Sequence, residues 1–155
     1  MMKTVTLTLP DLGEIDRLSY SKACTILDEA RTRVKAYDYD LAVRRSQEAF
    51  ELYLKSLFRF LHTEYPASHD LKKQIYELTE ALKESQIDRR QVARLVLANS
   101  ILDLWRSLAF YGDEKLNVGG IFDGSEATLA LSYAELAQFV CSVVRGFVYQ
   151  RASSV

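Results

Sequence analysis

Residues 41–63, LAVRRSQEAFELYLKSLFRFLHT, constrain the fold of this chain more than any other stretch. On a wheel of about 3.6 residues per turn, Ala42, Ala49, Phe50, Tyr53, Leu54, Leu57, Phe60 and Leu61 fill one arc. Arg44, Gln47, Glu48, Glu51, Lys55, Arg59 and His62 fill the other. A two-faced period held this long requires a helix with one side on a hydrophobic core and the other in water. Glu51 and Lys55 stand four apart in the favourable order for a helical ion pair, which contributes about 0.2–0.5 kcal/mol when exposed.

The rest of the chain supplies partners for that helix. Leu18, Ile26, Leu27, Ala30 and Val34 recur at three- and four-residue steps and predict a first helix, with Arg31, Arg33 and Lys35 turned away. YDYD breaks that run, and Asp38 or Asp40 can cap the long second helix by accepting its free N–H groups. EYPASHD reads as a loop, because Pro66 disfavours helix at Tyr65, and a short third helix follows in LKKQIYELTEALKE with Asp70 as its cap. A fourth helix follows QIDRR. Val92, Leu95, Asn99, Leu102, Arg106 and Ala109 share one of its faces, and Leu97, Ile101, Leu104 and Leu108 another. Apolar nearly all round, it belongs in the middle of a bundle or at a subunit interface, and Gly112 is expected to end it. After DEKLNVGGIF, Asp123 and Glu126 form a D-x-x-E capping box for a fifth helix with a stripe of Leu129, Leu136, Phe139, Val140, Val143, Val144 and Phe147. Only the opening TVTLTL has a two-residue period, and it predicts an extended arm or strand over residues 1–12.

The sequence thus predicts one all-α domain over 1–155, with the helical part at 13–150. A hydrophobic fraction of 48% supports a packed core. A net charge of −1 and a pI near 6.1 lack the basic excess that non-specific nucleic-acid binding needs, so any RNA contact is expected to be local. Cys24 and Cys141 form no CxxC pair and the first ten residues lack the apolar run of a secretion signal, which fits a reducing cytoplasm. The apolar helices carry Lys, Arg or Glu every few residues, so no membrane role is expected.

Chemically, the familiar signatures fail. His62 and His69 lie on opposite sides of a loop break without helical carboxylate partners, so no metal and no cofactor are expected. No Gly-rich phosphate loop or nucleophile elbow is present. Arg106 stands out, because a guanidinium on the face of Leu102 and Ala109 is costly to bury alone. Asp103, three residues earlier, can pair with it, and a cation near a helix C-terminus is favoured by the helix dipole. His69 reads as a hydrogen-bonding member of a loop-to-helix junction.

Taken as an ordered set, D-x-D-x-A at Asp38–Ala42, A-x-E-x-x-x-K at Ala49–Lys55 followed by Leu57, P-x-x-H-D-L at Pro66–Leu71 and R-x-x-x-x-Y-G-D at Arg106–Asp113 resemble the HEPN domain family, over about Ser19 to Phe147. The resemblance implies an up-and-down bundle of about five helices, often a homodimer. It also implies an association with nucleotides or RNA, and with a minimal nucleotidyltransferase partner in toxin–antitoxin pairs. Nuclease members carry Arg, four to six residues, then His on the late helix, and two copies meet to cleave RNA without metal. Arg106 matches that arginine, but the histidine positions hold Tyr111, Gly112 and Asp113, and Ser107 replaces the polar amide or acid often found after the arginine. Glu51 and Lys55 match the E-x-x-x-K of helix two, and His69, Asp70 and Leu71 match H-D-L.

The expected function is therefore a non-catalytic binding module with a polar cleft formed from Arg106, Asp103, Glu51, Lys55 and His69. One alternative is a metal-independent RNase that uses Arg106 with Tyr111 or Asp113 in place of the imidazole. Another is a structural dimerisation module without a ligand.

Overall fold

The computed structural model describes residues 13–60, 80, 82, 87–115 and 121–153, giving only the backbone course for 106–115 and 151–153. A π-helical turn, Asp16–Tyr20, runs into α1, Ser21–Lys35; α2, Tyr39–Phe60, α3, Arg89–Lys115, and α4, Gly124–Ser153, follow. Together they form an up-and-down helical bundle. The expected N-terminal arm and almost all of the expected third helix lie outside the described residues.

α2 is the centre of the bundle. It packs most extensively on α4 and on α1, while α3 makes a smaller contact at the edge. Its apolar arc is buried as expected from Ala42 to Phe60, with Leu61 outside the described residues, and Val43 and Phe58 widen the arc because helices lie on both sides. Tyr53, Phe50 and Phe60 are its largest enclosed side chains, and each such burial contributes about 1.5–3 kcal/mol.

α4 buries Ala127, Ala130, Ala134, Ala137, Val140, Cys141 and Val144 in the core and packs most extensively on α2. Of the expected stripe only Val140 and Val144 are fully buried; Leu129 and Phe139 are 41% and 51% exposed. The inward face is built of small residues, which let the two backbones approach closely, so the bulky ones are left to the flanks. α4 is long and apolar enough over Gly124–Gln150 to cross a membrane. In this fold, however, its small-residue face is core, its Glu135 pairs with Arg31 of α1 and its Arg145 with Asp16 of the π-helical turn.

Helix ends correct several expectations. Asp38 accepts the Ala42 N–H through its backbone carbonyl, while its carboxylate lies 3.8 Å from Arg33. Asp40 caps another part of the chain: its carboxylate accepts the N–H groups of Ile121 and Phe122 at 2.9–3.2 Å. The segment entering α4 crosses the start of α2 and would otherwise leave those donors unmatched. α1 closes with Tyr37 N–H to Val34 O (3.2 Å) and Asp38 N–H to Arg33 O (3.0 Å), the Schellman pattern. Tyr37, at φ 61°, occupies the left-handed position where glycine is usual. α3 opens with a capping box not foreseen from sequence, in which Asp88 Oδ1 accepts Arg90 N–H and Gln91 Oε1 accepts Asp88 N–H. The expected box at α4 is present, with Asp123 and Glu126 bonded reciprocally at 2.9 and 3.1 Å. Gly112 does not end α3, whose backbone continues to Lys115. Leu18, expected in the core, is 53% exposed because it lies in the π-helical turn, outside the regular period of α1.

Candidate functional site

The sequence-derived site residues fall on two helices. On α2, Lys55 Nζ lies 3.4 Å from Glu51 Oε1, and the Gln47 amide donates to Glu51 Oε2 at 3.3 Å. Both charged side chains remain partly in water, so the pair is a weak surface feature. On α3, Asp103 is exposed. Arg106, Tyr111 and Asp113 belong to the same unbroken helix, although their side chains, like all of His69, lie outside the described residues. At about 100° per residue, positions 106 and 113 share one side of α3, and position 111 is about 140° round from 106.

A second constellation was not foreseen. It joins the π-helical turn to α4, which run antiparallel. Arg145 holds Asp16 through both carboxylate oxygens, Nε at 2.8 Å and Nη2 at 2.6 Å, and the Tyr149 hydroxyl donates to the same carboxylate at 2.9 Å. The guanidinium carbon lies 4.9 Å from the ring centroids of both Tyr20 and Tyr149. Tyr20 in turn pairs with Ser142 at 2.6 Å. Nearby, Arg59 donates to Ser19 at 2.8 Å, and the Tyr53 hydroxyl donates to Cys24 Sγ at 3.2 Å. The π geometry, with the Ser21 N–H on the Asp16 carbonyl, adds one residue to the turn that carries Asp16 and Tyr20.

Electrostatics fix the protonation states. Burial pushes the Asp16 carboxyl up, but hydrogen bonds from Arg145 and Tyr149 outweigh it and hold it below the usual carboxylate range. The bond to Asp16 keeps Arg145 firmly cationic. Burial raises the Tyr20 and Tyr149 phenols, and burial with the bond to Cys24 raises Tyr53 well beyond the ordinary phenol range. Burial pushes the Cys141 thiol to about 12. At neutral pH the phenols and this thiol are therefore protonated, which suits a clasp and not a nucleophile or general base. The one sequence signal was Arg145 itself, a cation inside the most apolar run of the chain; its partner lies 129 positions away. Among the described residues, no group of three or more His, Cys, Asp or Glu is placed to hold a metal ion.

The family model described as the HEPN domain matches residues 17–143. No curated protein matches the chain, and no solved structure does.

Proposed function

We propose, since the chain belongs to the HEPN domain family, that it is a non-catalytic binding module of that family, which engages RNA, a nucleotide or a partner protein near Arg106 and works as a homodimer. One observation carries the reading: α3 runs unbroken from Arg89 to Lys115 and bears Arg106, yet Tyr111, Gly112 and Asp113 stand where the nucleases of the family carry histidine. A general acid or base of that kind contributes about 10²–10⁴-fold in rate, and tyrosine is a poor replacement near neutral pH. A guanidinium without an imidazole still suits phosphate or carboxylate recognition.

The homodimer reading is supported by the outer face of α3, where Leu97 and Leu104 are 54% and 60% exposed with half-buried Ile101 between them. A minimal nucleotidyltransferase in a toxin–antitoxin pair is the partner protein we propose, from the family alone. The second reading, a metal-independent RNase, draws on positions 106 and 113 sharing one side of α3.

The discriminating experiment incubates RNA with the wild-type chain and with Arg106→Ala in chelator-containing buffer. The expected outcome is intact RNA in both, with RNA retention reduced by the substitution. Cleavage that depends on Arg106 would establish the RNase reading. In light scattering, the wild-type chain is expected to have a dimer mass and Leu97→Asp with Leu104→Asp a monomer mass; a monomeric wild type would remove the homodimer.

A further inference from the structure

A groove of about 870 Å³, open to solvent, lies between the α1–α2 corner and the first turns of α4. Tyr37 and Tyr39 form one wall, and Asp123, Ser125, Thr128 and Ser132 contribute to the other. The two rings meet edge to face, with centroids 6.2 Å apart and planes at 86°, so they present π faces at right angles. Tyr39 is seated against Gly124, where an added Cβ would come within 3.2 Å of the ring. Tyr37 is 78% exposed at a left-handed backbone position where glycine would be unstrained. A large aromatic residue kept there contributes little to packing, and such strain often marks a binding surface.

The chemistry of the lining selects the ligand. Thr128 donates its hydroxyl proton to the Gly124 carbonyl and Ser132 to that of Leu129, both at 2.7 Å, so these oxygens are left as acceptors. Asp123 adds a carboxylate, and among the described residues no Lys, Arg or His lines the groove. Ring faces, acceptor oxygens and one negative charge disfavour a phosphate and favour a cation rich in N–H donors. Guanidinium combines a flat face for the rings with N–H groups for the oxygens. We propose that this groove docks an arginine side chain presented by a protein partner, with the guanidinium against Tyr37 and Tyr39 and its N–H groups toward Asp123.

The test is a titration of the isotope-labelled full chain, followed by NMR, with acetyl-Gly-Arg-Gly-amide and its citrulline analogue, which is close in shape and uncharged. The arginine peptide is expected to shift resonances of Tyr37, Tyr39, Asp123 and Ser125, and the citrulline peptide to bind several-fold more weakly. Tyr37→Gly is expected to weaken arginine binding about two- to fivefold, the size of one exposed cation–π contact. Asp123→Asn keeps an effective helix cap while removing the charge, and is expected to weaken it as well. Absence of groove shifts, equal binding of the two peptides, or full binding by both variants would overturn the assignment. Equal binding of putrescine would mark a site for free amines and overturn it too.

Discussion

Tyr37 shows how one residue can be written for something other than stability. A side chain in the left-handed region costs roughly 1–2 kcal/mol, while glycine costs roughly 0.5–1 kcal/mol more in unfolded-state entropy, so the exchange should favour the fold. Tyr37→Gly is accordingly expected to stabilise the protein by about 0.5–1 kcal/mol, a rise of roughly 1–4 °C in melting temperature on a scanning calorimeter. A drop of similar size would mean that the Tyr39 edge contact outweighs the backbone strain. The pattern of YDYD reads as a break followed by a helix cap at Asp38 or Asp40. Which of its residues took the positive φ depended on the hydrogen bonds that close α1.

At the scale of elements, legibility followed side-chain size and distance along the chain. The period of α2 and the D-x-x-E box of α4 are local, and both are found where the sequence places them. The buried face of α4 was misjudged, because hydrophobic pattern favours Leu and Phe while close helix packing favours Ala and Cys. The end of α3 was misjudged because a glycine is tolerated inside a helix when neighbouring turns carry it. Asp40, read as a cap of its own helix, instead serves a segment 81 positions later, a relation no local signal encodes. It leads to a sharp expectation: Asp40→Ala leaves the Ile121 and Phe122 N–H groups without their acceptor and should cost about 1–3 kcal/mol in urea unfolding. Asp40→Asn, which keeps one acceptor oxygen, should recover part of that loss.

For the whole molecule, the Asp16–Arg145 clasp links the two ends of the described chain and makes stability depend on acid. The folded carboxyl titrates below its unfolded value, so its contribution is complete above the ordinary carboxylate range and is lost as pH falls through the depressed folded value. Asp16→Asn is expected to lower neutral-pH stability by roughly 1–2 kcal/mol, moderated because the Arg145 side chain is 38% exposed, and to flatten the decline of melting temperature below about pH 4. An unchanged acid profile in that variant would mean that other carboxylates govern it. Beyond Arg145 standing in an apolar run, nothing in the sequence marks this clasp, since neither Asp16 nor Arg145 belongs to a motif and the two meet only through the antiparallel packing of the N-terminal segment on α4.

The dependence of α2 on α4 also has a temporal side. During synthesis, α1 and α2 leave the ribosome long before α4, the helix that packs most extensively on α2. At about 5–20 residues per second, roughly 5–20 s pass between completion of α2 and completion of α4. For that interval the nascent chain presents a long greasy ridge, and a chaperone or a neighbouring polysome product can reach it before its own last helix does.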